Sequence, residues 1–194
     1  MIKNICDKAN ILTYVGLILA VLGMQLCFVD NIDLAVMCLL IAGICDGFDG
    51  AFAKMIRKDG DPNFGVELDS LVDIISSGVF PVVICLSMGF NRIIDLVIYT
   101  IFLVCGVGRL AYYNITSKEN SGYFTGVPIT VSTILLPLIY AFTKKEIVFV
   151  SSLLILSVAY VSNFKIKKLN LKSKIALSVI GILIILFLIF RNTL

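Results

Sequence analysis

Read for its hydrophobic pattern, the chain is a succession of long apolar runs broken by short polar clusters. Seven runs stand out: Ile11–Val29, Leu34–Ile56, Val66–Met88, Ile93–Tyr113, Val127–Phe142, Ile147–Asn163 and Ile175–Phe190. The first four are long enough to cross a hydrocarbon layer about 30 Å thick as helices. The last three are shorter, and the seventh carries no motif. Barrel strands would alternate apolar and polar residues, whereas these runs are continuous. The pattern predicts an all-α, polytopic transmembrane bundle of six core helices with a seventh at the C-terminus. It shows no boundary, linker, repeat or low-complexity segment, so residues 1–194 are expected to form a single integral-membrane domain.

Composition agrees: 59% of the 194 residues are hydrophobic and 15% charged, where soluble domains carry about a quarter. The first run lacks a small-residue cleavage site after it and reads as a span, not a removable leader. Six scattered cysteines form no C-x-x-C pair and imply neither disulfides nor zinc. No basic stripe interleaved with aromatics appears, which sets nucleic acid aside. Histidine is absent, so acid–base chemistry falls to Asp, Glu, Lys, Tyr or Cys. With the N-terminus in the cytoplasm, ten basic residues (Lys3, Lys8, Arg57, Lys58, Lys118, Lys165, Lys167, Lys168, Lys172, Lys174) fall inside and four (Arg92, Lys144, Lys145, Arg191) outside. That asymmetry fits the positive-inside rule and predicts a cell-membrane protein with its motif loop facing the cytoplasm.

The exception to the apolar pattern is the stretch CDGFDGAFAKMIRKDGDPNFGVELDSLVDIISSGVFP, Cys45 to Pro81. On a helix, Asp46, Asp49, Gly50 and Ala53 lie at i, i+3, i+4 and i+7, within one stripe about 100° wide. Gly65, Asp69 and Asp73, four apart, form a second stripe. Facing stripes would bring four carboxylates together. Ionised carboxylates inside a membrane cost several kcal/mol unless they line a wet cavity or have a partner, and clustered anions repel. Hard divalent cations relieve both problems and retain room for substrate phosphates. Simple capping, an ion pathway or proton relay, and close small-residue helix packing remain alternative readings of the same spacings.

The pattern Asp46-Gly47-Phe48-Asp49-Gly50-x-x-Ala53-Lys54 followed by Gly65-x-x-x-Asp69-x-x-x-Asp73 resembles the signature of the CDP-alcohol phosphatidyltransferases, with its core at 46–73. Two departures stand out. Lys54 replaces the usual Arg, with Arg57 one turn on, and the segment before Gly65 is longer than usual. NFGVELDSLVDIISSGVFP, GRLAYYNIT and GYFTGVPIT, the last two carrying Arg109, Asn114, Gly126 and Pro128, are similar to the phosphatidylserine synthase branch. NILTYVG resembles the family's opening motif.

The resemblance implies transfer of a phosphatidyl group from CDP-diacylglycerol to L-serine with release of CMP. It implies two divalent cations, Mg²⁺ or Mn²⁺, held by Asp46, Asp49, Asp69 and Asp73, with Asp73 also the general base. Asn10, Thr13, Asp46, Gly50, Ala53, Lys54 and Gly65 would contact the CDP moiety. Arg109 is the first candidate for the acceptor carboxylate, or else a counter-charge to the acidic cluster; Lys118, Tyr123 and Thr125 follow. Ser70 and Ser76 are undecided between ligand and packing. Membrane lipids are expected neighbours and a homodimer the implied assembly. Glycerol 3-phosphate or inositol as acceptor, and a non-enzymatic cation transporter, are the competing readings.

Overall fold

The computed structural model describes residues 2–56, 62–116, 123–167 and 170–193. It is a bundle of seven apolar helical segments. Five of them, Lys8–Phe28, Ile32–Ile56, Asn63–Ser87, Ile93–Thr116 and Leu171–Arg191, are long and apolar enough to cross a membrane, and Ile129–Phe142 and Glu146–Val161 are shorter. All seven expected segments are therefore present, and the protein is an integral membrane protein.

After a short helix α1 (Ile2–Ile5), α2 (Ile11–Phe28) pairs along its length with α3 (Ile32–Ile56). The sequence of α2 explains that pairing. Its buried positions, Thr13, Gly16, Ala20, Gly23 and Cys27, recur at alternating steps of three and four and are all small. Between lipid-soluble helices the hydrophobic effect supplies little discrimination, so close backbone approach along a small-residue seam decides the contact. Gly23 is the tightest point. A β-carbon there would run into the ring of Phe80, which is fully buried. Gly16 is looser, its added carbon meeting only Ala42 O and Cys45 Cβ, each at 3.7 Å.

The third membrane segment is continuous but not uniform. Helix α4 (Pro62–Asp73) ends in a π-helical stretch, Ile74–Val79, before α5 (Phe80–Ser87). Pro81 has no N–H to give to the Ser77 carbonyl four residues earlier, and the hydroxyl of Ser132 donates to that carbonyl instead. The wide turn begins directly after Asp73, at a point where the periodicity of the sequence gave no warning.

Helix α6 (Ile93–Thr116) packs along α8 (Glu146–Val161), and α7 (Ser132–Phe142) crosses α3. A two-stranded antiparallel ribbon pairs β1 (Tyr123–Thr125) with β2 (Lys165–Lys167), Phe124 opposite Ile166. It ties the connection before α7 to the one after α8. Gly126 follows with φ +71°, and a side chain there would strike the Tyr160 carbonyl.

The last helix, α9 (Leu171–Thr193), corrects an expectation. It is 23 residues long, not a short terminal segment, and it is joined to the motif helix at both ends. Lys174 Nζ donates to Gly47 O at 2.7 Å, and Arg191 Nη2 pairs with Asp33 Oδ1 at 2.7 Å. Between them Gly181 faces Ile44 and Leu40. The hydropathy pattern ended this span at the first lysine, whereas the helix runs one turn further. Arg191 and Lys144 both lie over the Tyr140 ring, and Arg92 bridges Asp95 and Glu146 (Nε to carboxylate 3.2 and 2.8 Å). These charges gather at the end of the bundle opposite the aspartate motif.

The α2 seam yields a stability prediction. Gly23→Ala should lower the melting temperature of the detergent-solubilised protein, at a cost of about 1–3 kcal/mol from overpacking against Phe80. Gly16→Ala should melt at the wild-type temperature.

Candidate active site

Three helices converge on the aspartates. α3 carries Asp46 and Asp49 one turn apart, α4 carries Asp69 and Asp73 one turn apart, and α2 supplies Thr13 between them. The spacings of three and four on regular helix put each pair on one face, as the sequence predicted. A small cavity is lined by Leu12, Thr13, Gly16, Ala42, Asp46, Asp49, Asp69, Val72, Asp73 and Ser76, so all four carboxylates meet at one place.

Their arrangement is specific. One carboxylate oxygen each from Asp46, Asp49 and Asp69 lies within 4.8 Å of the other two. Asp73 faces Asp46, and Asp69 faces Asp49. Thr13 Oγ1 donates to Asp49 Oδ2 at 3.0 Å, which fixes that carboxylate from the α2 side. Asp49 and Asp73 are only 8% and 7% exposed. Carboxylates packed so closely in an apolar bundle need positive charge among them, and hard oxygen donors at this separation suit divalent cations. The donor set therefore fits the ions the sequence implied.

The flanking small residues keep the approach open. A β-carbon on Gly50 would meet nothing within 4 Å. Gly50 and Lys54 are exposed, and Ala53 and Gly65 half-buried, on the turns of α3 and α4 that follow or precede the carboxylates. Asn10 is buried at the start of α2, where its Nδ2 donates to Asn4 O at 3.0 Å; it does not line the cavity. Asp7 accepts from Ala9 N at 3.0 Å and starts the turn that leads into α2.

A second cavity of about 210 Å³ adjoins Arg109 and is lined by Gly108, Arg109, Tyr112, Thr125, Tyr160, Val161, Ser162 and Asn163. Arg109 is buried on α6, lies over the Tyr113 ring with its guanidinium carbon 5.2 Å from the centroid, and sits within electrostatic reach of Asp73. Two of the acceptor candidates, Arg109 and Thr125, thus share one cavity. Tyr123 pairs with Lys167 in the ribbon, its side chain being outside what the structure describes, and Lys118, like Arg57, lies outside the described residues.

The structure also resolves the two serines. Ser70 Oγ donates to Val66 O at 3.0 Å and accepts from Asn114 Nδ2 at 2.9 Å, linking α4 to α6. Ser76 donates to Val72 O at 3.0 Å while its residue borders the aspartate cavity. Sequence reading placed no role on Tyr112, Tyr160, Ser162, Asn163 or Lys174. Tyr112 comes from α6 and the other three from the end of α8 and the residues after it, and only Lys174 carried a local signal, a cation inside the first turn of an apolar helix.

With this geometry in view, likeness to known proteins becomes decisive. The sequence profile of the CDP-alcohol phosphatidyltransferases matches residues 7–193. The chain belongs to the CDP-alcohol phosphatidyltransferase family. Among relatives of this family, a CDP-diacylglycerol--serine O-phosphatidyltransferase of Helicobacter pylori (strain 26695) is 32% identical over 168 residues, 77% of this chain and 70% of its own length. One of the same name from Saccharomyces cerevisiae is 35% identical over 115 residues, 54% of this chain and 41% of its own length. An archaetidylserine synthase of Methanothermobacter thermautotrophicus is 30% identical over 111 residues, covering 57% of this chain and 47% of that protein. The chain therefore spans less than half the length of the yeast and archaeal relatives. Members of this phosphatidyltransferase family use divalent cations, in keeping with the Asp46, Asp49 and Asp69 cluster. The resemblance to phosphatidylserine synthases read from the sequence agrees with the names these relatives bear.

A direct test of the cation site uses Mn²⁺ as the probe. Electron paramagnetic resonance titration should show Mn²⁺ bound by the purified protein, and Asp49→Asn should weaken that binding by about tenfold or more through loss of a charged oxygen ligand.

Proposed function

We propose that this protein is a CDP-diacylglycerol–serine O-phosphatidyltransferase, moving the phosphatidyl group from CDP-diacylglycerol to L-serine and releasing CMP. The observation that carries the reading is the convergence of Asp46, Asp49, Asp69 and Asp73 on one cavity, three of them with oxygens within 4.8 Å of one another. Family membership and relatives named for the serine reaction support the choice of donor and acceptor.

In this reading Asp46, Asp49, Asp69 and Asp73 hold two Mg²⁺ or Mn²⁺ ions. Bound there, such ions would neutralise the diphosphate and stabilise the charge that develops on the departing phosphate. Thr13 keeps Asp49 oriented through its hydroxyl. Gly50, Ala53 and Gly65 leave clearance for the nucleotide, and Asn10, Thr13 and Lys54 border it. The acyl chains stay in lipid while the headgroup enters between α2, α3 and α4.

The serine hydroxyl is a poor nucleophile at neutral pH, so a positioned base must take its proton as it attacks. Asp73 fills that role: it is buried in the acidic cavity and within electrostatic reach of Arg109. The serine oxygen bonds to the phosphorus bearing diacylglycerol, the bond from that phosphorus to the bridging oxygen breaks, and CMP departs with the electron pair. The proton on Asp73 then passes to solvent. Arg109, in the adjoining 210 Å³ cavity with Thr125, is placed to pair with the serine carboxylate. Tyr123 belongs to β1, the strand that supplies Thr125 to that cavity, and is a further acceptor candidate together with Lys118. We further read the protein as a homodimer of the cell membrane with this end of the bundle toward the cytoplasm; the excess of lysine and arginine in the connections on the motif side supports that orientation.

The test is an acceptor panel on the purified protein with CDP-diacylglycerol, reading CMP. L-Serine with Mg²⁺ or Mn²⁺ should release CMP, a chelator should stop it, and inositol or glycerol 3-phosphate should give little. Glycerol 3-phosphate outrunning serine would overturn the acceptor assignment while sparing the chemistry. Asp73→Asn should lower kcat by about 10²–10⁴-fold, the usual worth of a positioned base.

A further inference from the structure

Among the described residues, a lysine that hydrogen-bonds the motif belongs to neither motif helix. Lys174, in the first turn of α9, reaches α3 and donates to Gly47 O at 2.7 Å. Gly47 lies between Asp46 and Asp49. At about 100° per residue it projects about 60° from Gly50 and about 20° from Lys54, on the flank of the face left open for the nucleotide. Asp46 and Asp69 both lie within electrostatic reach of the Lys174 ammonium.

The backbone does not need this bond. Gly47 sits well inside the continuous helix α3, where its carbonyl already receives the N–H of Ala51 in the regular pattern. A lysine within an apolar helix is expensive unless it meets an anion or reaches water. Its helix is also fixed further along, because Gly181 packs α9 onto Ile44 and Leu40 and Arg191 pairs with Asp33. A rigid helix thus delivers a flexible ammonium with three donors to the rim of an acidic cavity. One donor can stay on Gly47 O while another takes an anionic oxygen.

We propose that Lys174 is a donor-binding residue: its ammonium closes the Gly50–Lys54 side of the pocket and binds a phosphate oxygen of the CDP headgroup. This rests on the functional reading above, since it takes a nucleotide diphosphate as the occupant. The seventh helix is then part of the active site, adding a second positive charge beside Lys54 on this flank.

The test measures donor binding without acceptor. Calorimetric titration of the full-length protein with CDP and MgCl₂ should show binding for the wild type. Lys174→Met should weaken it by about tenfold or more, as expected for loss of a hydrogen bond to a charged group. The KM for CDP-diacylglycerol should rise by a similar factor while the KM for L-serine stays unchanged, and Lys174→Arg should restore most of the loss. Lys174→Gln, which can still bond Gly47 O but has no charge, should behave like the methionine variant. Gln or Met binding CDP as tightly as wild type would overturn the proposal. So would a fall in kcat with both KM values intact, the mark of a simple anchor for α3. Because no serine is present, a wrong acceptor assignment would leave the CDP result standing. A wild-type protein that bound no CDP would sink this inference and the donor assignment together.

Discussion

Four carboxylates held together inside an apolar bundle are the constraint on which this structure turns. Alone, their mutual repulsion and their removal from water would oppose folding. The surrounding architecture instead holds them close and leaves the pocket open on one side. Asp46 and Asp49 share a face of α3, Asp69 and Asp73 share a face of α4, and Thr13 bonds Asp49 across the gap. That geometry is intelligible when hard cations complete the charge balance, and it ties stability to function at the same atoms.

The rest of the bundle keeps these two faces in register. The small-residue seam on α2 lets its backbone approach α3 closely enough for a threonine hydroxyl to reach a carboxylate. On the far side, Ser70 and Asn114 link α4 to α6, which brings the Arg109 cavity beside the aspartates. The π-helical stretch after Asp73 changes the rotation of the helix at that point. The upper turns can then pack on Ser132 and Ile129 while the carboxylates keep their own facing. Placing chemistry on helices, not loops, gives these groups fixed positions.

The aspartate cavity and the cavity beside Arg109 both lie at one end of the bundle, where α3, α4, α6 and the ribbon meet. The opposite end closes with Arg92, Asp95, Glu146, Asp33 and Arg191 in mutual ion pairs. The bundle thus has cavities at one end and ion pairs at the other. α9 joins them, with Arg191 at the closed end and Lys174 at the open one.

Much of this was legible in the linear chain. Continuous apolar runs predicted the seven segments, because a span needs only length and hydrophobicity. The i, i+3 and i, i+4 spacings predicted two acidic faces, because helical periodicity is local. The pairing of those faces, the Arg109–Thr125 cavity built from α6, the ribbon and the end of α8, and the reach of Lys174 to Gly47 were decided only by tertiary structure. Each joins residues from different helices, and packing between similar apolar surfaces leaves little trace in any one of them. The π turn was hidden for a related reason: its carbonyl at Ser77 is satisfied by Ser132, 55 residues away in the chain.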